Sequence, residues 1–133
     1  MRVLIVDDDP DVRSFLLSCI TALGCDEDEV DTAGNGEEAL GKTVQRRYDL
    51  VTLDLKMPGV SGIDILSVIR GMMPWSVIAI VSGYIEEVTE VAEDHADLIL
   101  AKPVRVEKIR QLVELTRELM GRRAAIRALG ERE

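Results

Sequence analysis

The segment from Leu50 to Asp54 constrains the fold more than any other part of this 133-residue chain. Leu50–Leu53 is typical of a strand buried on both faces, and the Pro58-Gly59 pair soon afterwards ends extended structure. The strand ends on the carboxylate of Asp54. In an open parallel sheet, side chains at the carboxyl ends of strands leave the packed interior and face a crevice where ligands bind. Asp54 is therefore a candidate functional residue, although capping of the following turn would also explain an acid there.

Apolar segments and segments with helical periodicity alternate along the chain. Hydrophobic residues make up 47% of it but aromatic residues only 3%, so the core must be aliphatic, as suits strands covered on both faces by helices. The pattern predicts one α/β domain with a doubly wound parallel sheet and right-handed crossovers. The predicted strands are Val3–Val6, Val30–Ala33, Leu50–Leu53, Val77–Val81 and Leu98–Ala101; the predicted helices run from Pro10 to Leu23, from Gly36 to Arg46, from a cap at Ser61 to a stop at Gly71, from about Glu86 to Asp94, and onward from Arg105.

Charge and cysteine content exclude several classes of protein. The net charge of −9 argues against non-specific nucleic-acid binding, although the basic residues concentrate after residue 100. No apolar run approaches the length of a membrane span, and the first residues lead straight into a strand, so we expect a cytoplasmic protein without a membrane anchor. Cys19 and Cys25 lack a CxxC partner and are expected to be free thiols.

Polar side chains follow four of the predicted strands where each strand ends. Asp7 and Asp8 follow the first strand, Asp54 the third, Ser82 the fourth and Lys102 the fifth, so all should meet at one edge of the sheet. The neighbouring Asp9 is explained by helix capping, because Pro10 follows it at the first helical position.

The chemistry of this set points to phosphoryl transfer. Clustered carboxylates suit Mg²⁺, which binds through one or two carboxylates together with phosphate oxygens. Lys102 supplies a charge and Ser82 a hydroxyl for phosphoryl oxygens, and Asp54 can act as a nucleophile toward phosphorus. The sequence therefore predicts that the protein accepts a phosphoryl group.

Four motifs carry a family resemblance over about residues 1–120. They are VDD after the first strand, LDLKMPGVSG around the third, VSG at the fourth and AKP at the fifth. With these motifs in this order, the chain resembles a receiver domain of the two-component response regulator family, of the single-domain type. The resemblance implies a flavodoxin-like fold with a five-stranded parallel sheet of order 2-1-3-4-5.

The resemblance also implies a role for each matching residue. Asp54 would become the aspartyl phosphate, Ser82 would hydrogen-bond the phosphoryl group, and Lys102 would pair with it ahead of a cis bond to Pro103. Mg²⁺ would be held by Asp7, Asp8, Asp54 and the backbone carbonyl of Lys56. A sensor histidine kinase or phosphotransfer protein would supply the phosphoryl group, and a downstream protein would receive the signal. Such a protein is a phosphoacceptor that assists its own phosphorylation and dephosphorylation, and not a turnover enzyme.

Some residues depart from the family pattern. Ile99 stands where the family usually has Tyr or Phe, which removes the aromatic rotamer switch, and the stretch from Ser82 to Lys102 is about two residues short. Both changes fall on the face that usually carries output. Lys56 and Tyr84 occupy the positions that would gate water, and both are bulky, so slow self-dephosphorylation is expected.

The C-terminal region is predicted to divide into a receiver domain, residues 1–120, and a helical extension or frayed tail, residues 121–133. Gly121 is placed to stop the last helix. One apolar stripe should dock this helix on the sheet, and a second forms a short heptad seam, which favours a monomer or a weak dimer. The docking stripe is Val106, Ile109, Val113 and Met120; the seam is Leu112, Leu115, Leu119, Ile126 and Leu129.

Two other functions compete with phosphoryl acceptance. A phosphorylation-independent interaction module would keep the fold without the switch, as Ile99 and the short fourth helix allow. A small phosphatase of the haloacid dehalogenase type is a weaker alternative, with Asp7 and Asp9 as its hhhhDxD acids, because that class follows the second acid with Thr or Val rather than Pro.

Overall fold

The fold is a five-stranded parallel sheet with helices on both faces, as seen in a computed structural model that describes residues 1–59, 62–83 and 90–130. The strands lie in the order β2-β1-β3-β4-β5, so the predicted sheet and its order are confirmed. The strands are β1 Val3–Val6, β2 Val30–Ala33, β3 Leu50–Leu53, β4 Val77–Ser82 and β5 Leu98–Ala101; the helices are α1 Pro10–Ala22, α2 Gly36–Gln45, α3 Gly62–Met72, α4 Glu90–His95 and α5 Val106–Ala128.

The sheet separates two aliphatic core layers. Successive side chains of a strand point to opposite faces, so Leu4 and Val6 of β1 pack with α2, α3 and α4, whereas Val3 and Ile5 pack with α1 and α5. All four residues are buried. Burial on both faces explains why β1 is an uninterrupted apolar run and why β3, which includes the buried Thr52, does not alternate apolar with exposed polar residues.

Local signals set the helix ends as predicted. The side chain of Asp9 accepts a hydrogen bond from the Asp11 N–H at the start of α1, and Asn35 accepts one from Glu38 N–H at the start of α2. Gly24 follows the end of α1 with a φ of 95°, a conformation that glycine adopts without strain. Arg105 precedes α5 without a side-chain cap, also as predicted.

The last helix differs from the prediction. Gly121 does not stop α5, which continues to Ala128. Two arginines fasten the helix to distant carbonyls: Arg117 donates to the Leu23 carbonyl at 2.8 Å, and Arg123 donates to the Trp75 carbonyl at 2.7 Å. Of the two, only Arg123 lies beyond Gly121, and its hydrogen bond offsets the cost of a glycine within a helix, which is about 1 kcal/mol.

The two predicted stripes of α5 also need correction. Leu112, predicted in the seam, is buried in the core, whereas Val106, predicted in the docking stripe, is exposed. Leu115, Ile126 and Leu129 are exposed, as a solvent-facing seam requires. The docking face is therefore rotated toward Leu112 and includes the buried Thr116. The Thr116 hydroxyl donates a hydrogen bond to the Leu112 carbonyl.

Three predictions fall outside the described residues. They are the cap at Ser61, the gating side chain of Tyr84 and the start of the fourth helix near Glu86. Cys19 and Cys25 are free thiols, as expected. Across residues 1–59, 62–83 and 90–130, no helix combines the length and hydrophobicity that a membrane span requires.

Candidate functional site

The carboxyl edge of the sheet brings the predicted site residues together. Ladder hydrogen bonds continue one residue past the strands, from Asp54 N–H to the Val6 carbonyl and from Lys102 N–H to the Ser82 carbonyl, both at 2.9 Å. Asp7 N–H likewise donates to the Ala33 carbonyl at 3.1 Å. The backbone at each strand end is therefore fixed by its neighbour, and the side chains emerge from rigid positions.

Lys102 bridges the two buried carboxylates. Its Nζ lies 2.8 Å from Asp7 Oδ2 and 3.3 Å from Asp54 Oδ2. Burial opposes the charge of Lys102, but the close contact with Asp7 Oδ2 and the charges of both acids outweigh burial, so the pKa of Lys102 is raised. Lys102 therefore stays protonated and partly neutralises this edge.

Asp54 lies in a constrained environment for a carboxylate. It is 4% exposed, and Lys56 N–H donates to its Oδ1 at 3.0 Å. Burial raises the pKa of Asp54, although the Lys56 N–H and the charge of Lys102 oppose the rise and the charge of Asp7 adds to it. A buried carboxylate with a raised pKa at a crevice is typical of functional sites.

Three carboxylates could hold a cation at this edge. Asp7, Asp8 and Asp54 each offer an oxygen, and these oxygens lie within 4.8 Å of one another. Asp7 Oδ1 accepts the Asp9 N–H at 2.9 Å, while Asp7 Oδ2, apart from its ion pair with Lys102, has no well-directed hydrogen bond. The donor set is entirely oxygen and carries excess negative charge, which fits a hard divalent cation such as Mg²⁺.

The remaining predicted residues are Ser82, Lys56 and Asp9. Ser82 ends β4, is buried and lies beside Ala101 in the strand register, one residue before Lys102. Lys56 is exposed in the loop after β3; its N–H lies at the site, while the proposed ligation by its carbonyl stays a prediction. The side chain of Asp9 caps α1, so the second acid that the phosphatase alternative requires is used for helix capping.

Two residues at the site were missed by sequence reasoning. A Cβ on Gly62 would overlap the backbone of Leu55, so glycine is required where α3 crosses the loop after Asp54. Arg13 of α1 donates from Nη1 to the Asp7 carbonyl at 2.7 Å. Both had a sequence signal: a glycine at the first position of a helix, and a basic residue close to a helix N-terminus, where the dipole disfavours it.

Comparison with known proteins identifies relatives of this architecture. The sequence model of the response regulator receiver domain family matches residues 3–114. The structure is similar to the crystal structure of the response regulator TrrA from Thermotoga maritima in complex with Mg²⁺-BeF, with a TM-score of 0.77. The two sequences are 34% identical, and the match covers 86% of this chain and 97% of that one.

Curated proteins are similar in sequence over part of their length. The transcriptional regulatory protein PrrA of Mycobacterium leprae is 35% identical over 127 residues, which is 93% of this chain and 52% of PrrA. A protein-glutamate methylesterase/protein-glutamine glutaminase of Archaeoglobus fulgidus is 39% identical over 82 residues, 62% of this chain and 23% of that protein. The chain thus spans about half or less of these relatives.

Proposed function

We propose, because this chain belongs to the response regulator receiver domain family, that Asp54 accepts one phosphoryl group in a Mg²⁺-dependent reaction. The observation that carries this proposal is the convergence of a buried Asp54, a bridging Lys102 and an all-oxygen cation cluster at one edge of the sheet. The family membership and the geometry support the same chemistry independently.

The transfer step follows from the chemistry of a carboxylate nucleophile. An oxygen of Asp54 attacks phosphorus of a phosphohistidine on a sensor histidine kinase or phosphotransfer protein. The O–P bond forms as the P–N bond breaks, and the imidazole leaves with its electron pair. Lys102 then turns from the carboxylates toward the new phosphoryl oxygens, and the Ser82 hydroxyl donates to another of them.

Mg²⁺ held by Asp7, Asp8, Asp54 and the Lys56 carbonyl would neutralise charge on the phosphoryl oxygens. The chain's own residues hold the acceptor in place: Lys56 N–H orients Asp54 Oδ1, and Lys102 holds Oδ2. Asp8→Ala should abolish stabilisation by millimolar Mg²⁺ and raise the melting temperature of the metal-free protein, because it removes one of three mutually repelling charges.

Acceptance should weaken as the pH falls. In the metal-free protein burial raises the pKa of Asp54, so a proton competes with Mg²⁺ for this carboxylate, and protonation removes the nucleophile. We expect the initial rate of phosphorylation to decline on the acidic side while the protein remains folded by circular dichroism.

Intact mass measurement tests the proposal directly. After incubation with acetyl phosphate and Mg²⁺, the wild type should gain the mass of one phosphoryl group, and Asp54→Asn should gain none. Asp64→Asn is a matched control, because Asp64 is an exposed aspartate on α3. Uptake by Asp54→Asn at the wild-type rate would refute the acceptor assignment; no uptake by the wild type would favour the phosphorylation-independent module.

Output is proposed to occur by contact with a downstream protein in the cytoplasm, with the chain acting as a phosphoacceptor and not as a turnover enzyme. Residues 1–120 would form the receiver domain and residues 121–133 a helical extension. Ile99 packs partly buried against the core layer of α2, α3 and α4, so no aromatic ring marks the switch at this position. The exposed Leu115, Ile126 and Leu129 favour a monomer or a weak dimer through α5.

A further inference from the structure

Arg13 lies where α1, the end of β1 and the β2–α2 junction meet. Its side chain is half-buried, and Nη1 donates to the Asp7 carbonyl at 2.7 Å. The guanidinium lies across Gly34, since a Cβ at that position would stand 3.0 Å from Nη1 and 3.5 Å from Cζ. The third-nearest heavy atom is Nη2 of the same guanidinium, at 3.8 Å. Gly34 therefore leaves the space that the guanidinium occupies.

Two contacts hold the peptide units on either side of Asp7, and the second of these units joins the two cation ligands Asp7 and Asp8. Asp7 N–H is held by the Ala33 carbonyl at 3.1 Å, and the Asp7 carbonyl is held by Arg13. The Asp7 carbonyl belongs to the peptide plane that joins Asp7 to Asp8, so a rotation of that plane would move both carboxylates. Asp8 is exposed, so the packing of the core does little to restrain it.

Charge alone does not explain this placement. A guanidinium near a divalent cation repels it, so the positive charge of Arg13 by itself weakens cation binding. Only the geometry that Arg13 imposes on the Asp7–Asp8 peptide can strengthen binding. The two effects have opposite signs and can be separated by experiment.

We propose that Arg13 is a positioning residue for the cation site. Its guanidinium occupies the space left by the missing side chain of Gly34, and from there it holds the Asp7–Asp8 peptide through the Asp7 carbonyl. The inference rests on the proposed Mg²⁺ binding and assigns a function to a residue outside the ligand set. Residues that orient metal ligands typically change metal affinity 10- to 100-fold when they are removed.

Titration calorimetry with MgCl₂ on the full chain provides the test. Arg13→Met removes the donors and should raise the Kd about tenfold. Arg13→Lys keeps one donor and should restore part of the affinity. Gly34→Ala keeps the charge and every atom of Arg13 but displaces the guanidinium, so it should also raise the Kd. Arg110→Met, on the outer surface of α5, is the control and should leave the Kd unchanged.

The double variant identifies the route of the effect. If Gly34 acts through the guanidinium, the double variant Arg13→Met with Gly34→Ala should bind Mg²⁺ with the same Kd as Arg13→Met alone. Additive effects of the two substitutions on the Kd would overturn the proposed role of Gly34. Metal-free melting temperatures are measured alongside, because a purely structural role would shift them without changing the Kd.

The outcomes distinguish this inference from the proposed function. Wild-type binding with unchanged or tighter binding by Arg13→Met would overturn the positioning role and leave the Mg²⁺ site standing. Absence of Mg²⁺ binding by the wild type would refute the metal site itself, and the positioning role with it.

Discussion

Replacing Lys102 by Met should destabilise the metal-free protein and make it more dependent on Mg²⁺. Lys102 Nζ is the cation between Asp7 and Asp54, at 2.8 Å and 3.3 Å from their oxygens. Methionine fills much the same volume but carries no charge. The variant would therefore leave two buried carboxylates beside each other without this counter-charge.

The size of the loss follows from the geometry. At an effective dielectric constant near 20, each of the two contacts corresponds to roughly 5–6 kcal/mol of attraction before desolvation is counted. Desolvation of the ammonium offsets much of this, and breaking a buried ion pair typically costs about 3–5 kcal/mol. Because the Lys102 side chain is 24% exposed, we expect the lower end, about 3 kcal/mol, out of a total stability of about 5–15 kcal/mol for a domain.

The loss should depend on pH and metal in defined directions. Burial raises the pKa of Asp54, so the native protein binds a proton more tightly than the unfolded chain, and this group adds stability as the pH falls toward the raised pKa. Without Lys102 that pKa rises further, so the loss should shrink between pH 7.5 and pH 5. Millimolar Mg²⁺ should stabilise the variant more than the wild type, because the cation replaces the missing charge.

Urea unfolding followed by circular dichroism measures these effects, in EDTA and in MgCl₂ at both pH values. Lys108→Met, an exposed lysine on α5, is the matched control and should change stability by less than about 0.5 kcal/mol. A loss below about 1 kcal/mol for Lys102→Met in EDTA, or an equal loss in EDTA and Mg²⁺, would refute the counter-charge argument.

Further substitutions test one contact near the site and one at the edge strand. Gly62→Ala should destabilise the protein by about 2–3 kcal/mol in urea unfolding, because its Cβ overlaps the Leu55 backbone, whereas Gly71→Ala in the same helix meets open space and should stabilise by about 0.5–1 kcal/mol. Equal effects of the two changes would contradict the close approach. Tyr48→Phe removes a buried hydroxyl that donates to Asp31 Oδ2 at 2.6 Å and should cost about 1–2 kcal/mol at pH 7. Burial and the bond to Asp31 raise the pKa of Tyr48, so its contribution is present below pH ~10 and lost above it, and the variant's stability curve should be flatter there than the wild type's.

The sheet and its polar edge could be predicted because both are encoded locally. Burial on two faces makes β1 and β3 largely apolar, and a charged residue follows each of β1, β3 and β5 where the strand ends, as at Asp7, Asp54 and Lys102. Parallel strands place these ends side by side, whatever the length and conformation of the connecting loops. Helix starts at Asp9 and Asn35 were predictable for the same reason, since a cap acts within three residues.

The helical extension shows where local signals were insufficient. Gly121 lowers helix propensity by a fixed local amount, and the prediction of a stop used only that amount. The contact that holds the helix beyond Gly121 joins Arg123 to a carbonyl 48 residues earlier. Periodicity also left the orientation of α5 open by one position, which is why Leu112 was placed on the wrong face.

The sequence by itself determined which side chains lie at the carboxyl edge of the sheet, because strand ends and caps depend on neighbours within a few residues. Only the tertiary structure decided how they are held: Arg13 against Gly34 and the Asp7 carbonyl, and Gly62 against the backbone of Leu55. These are contacts between elements, and their distances depend on how helices pack on the sheet. No pattern along a single chain segment specifies that packing, since the same periodicity fits several rotations of a helix.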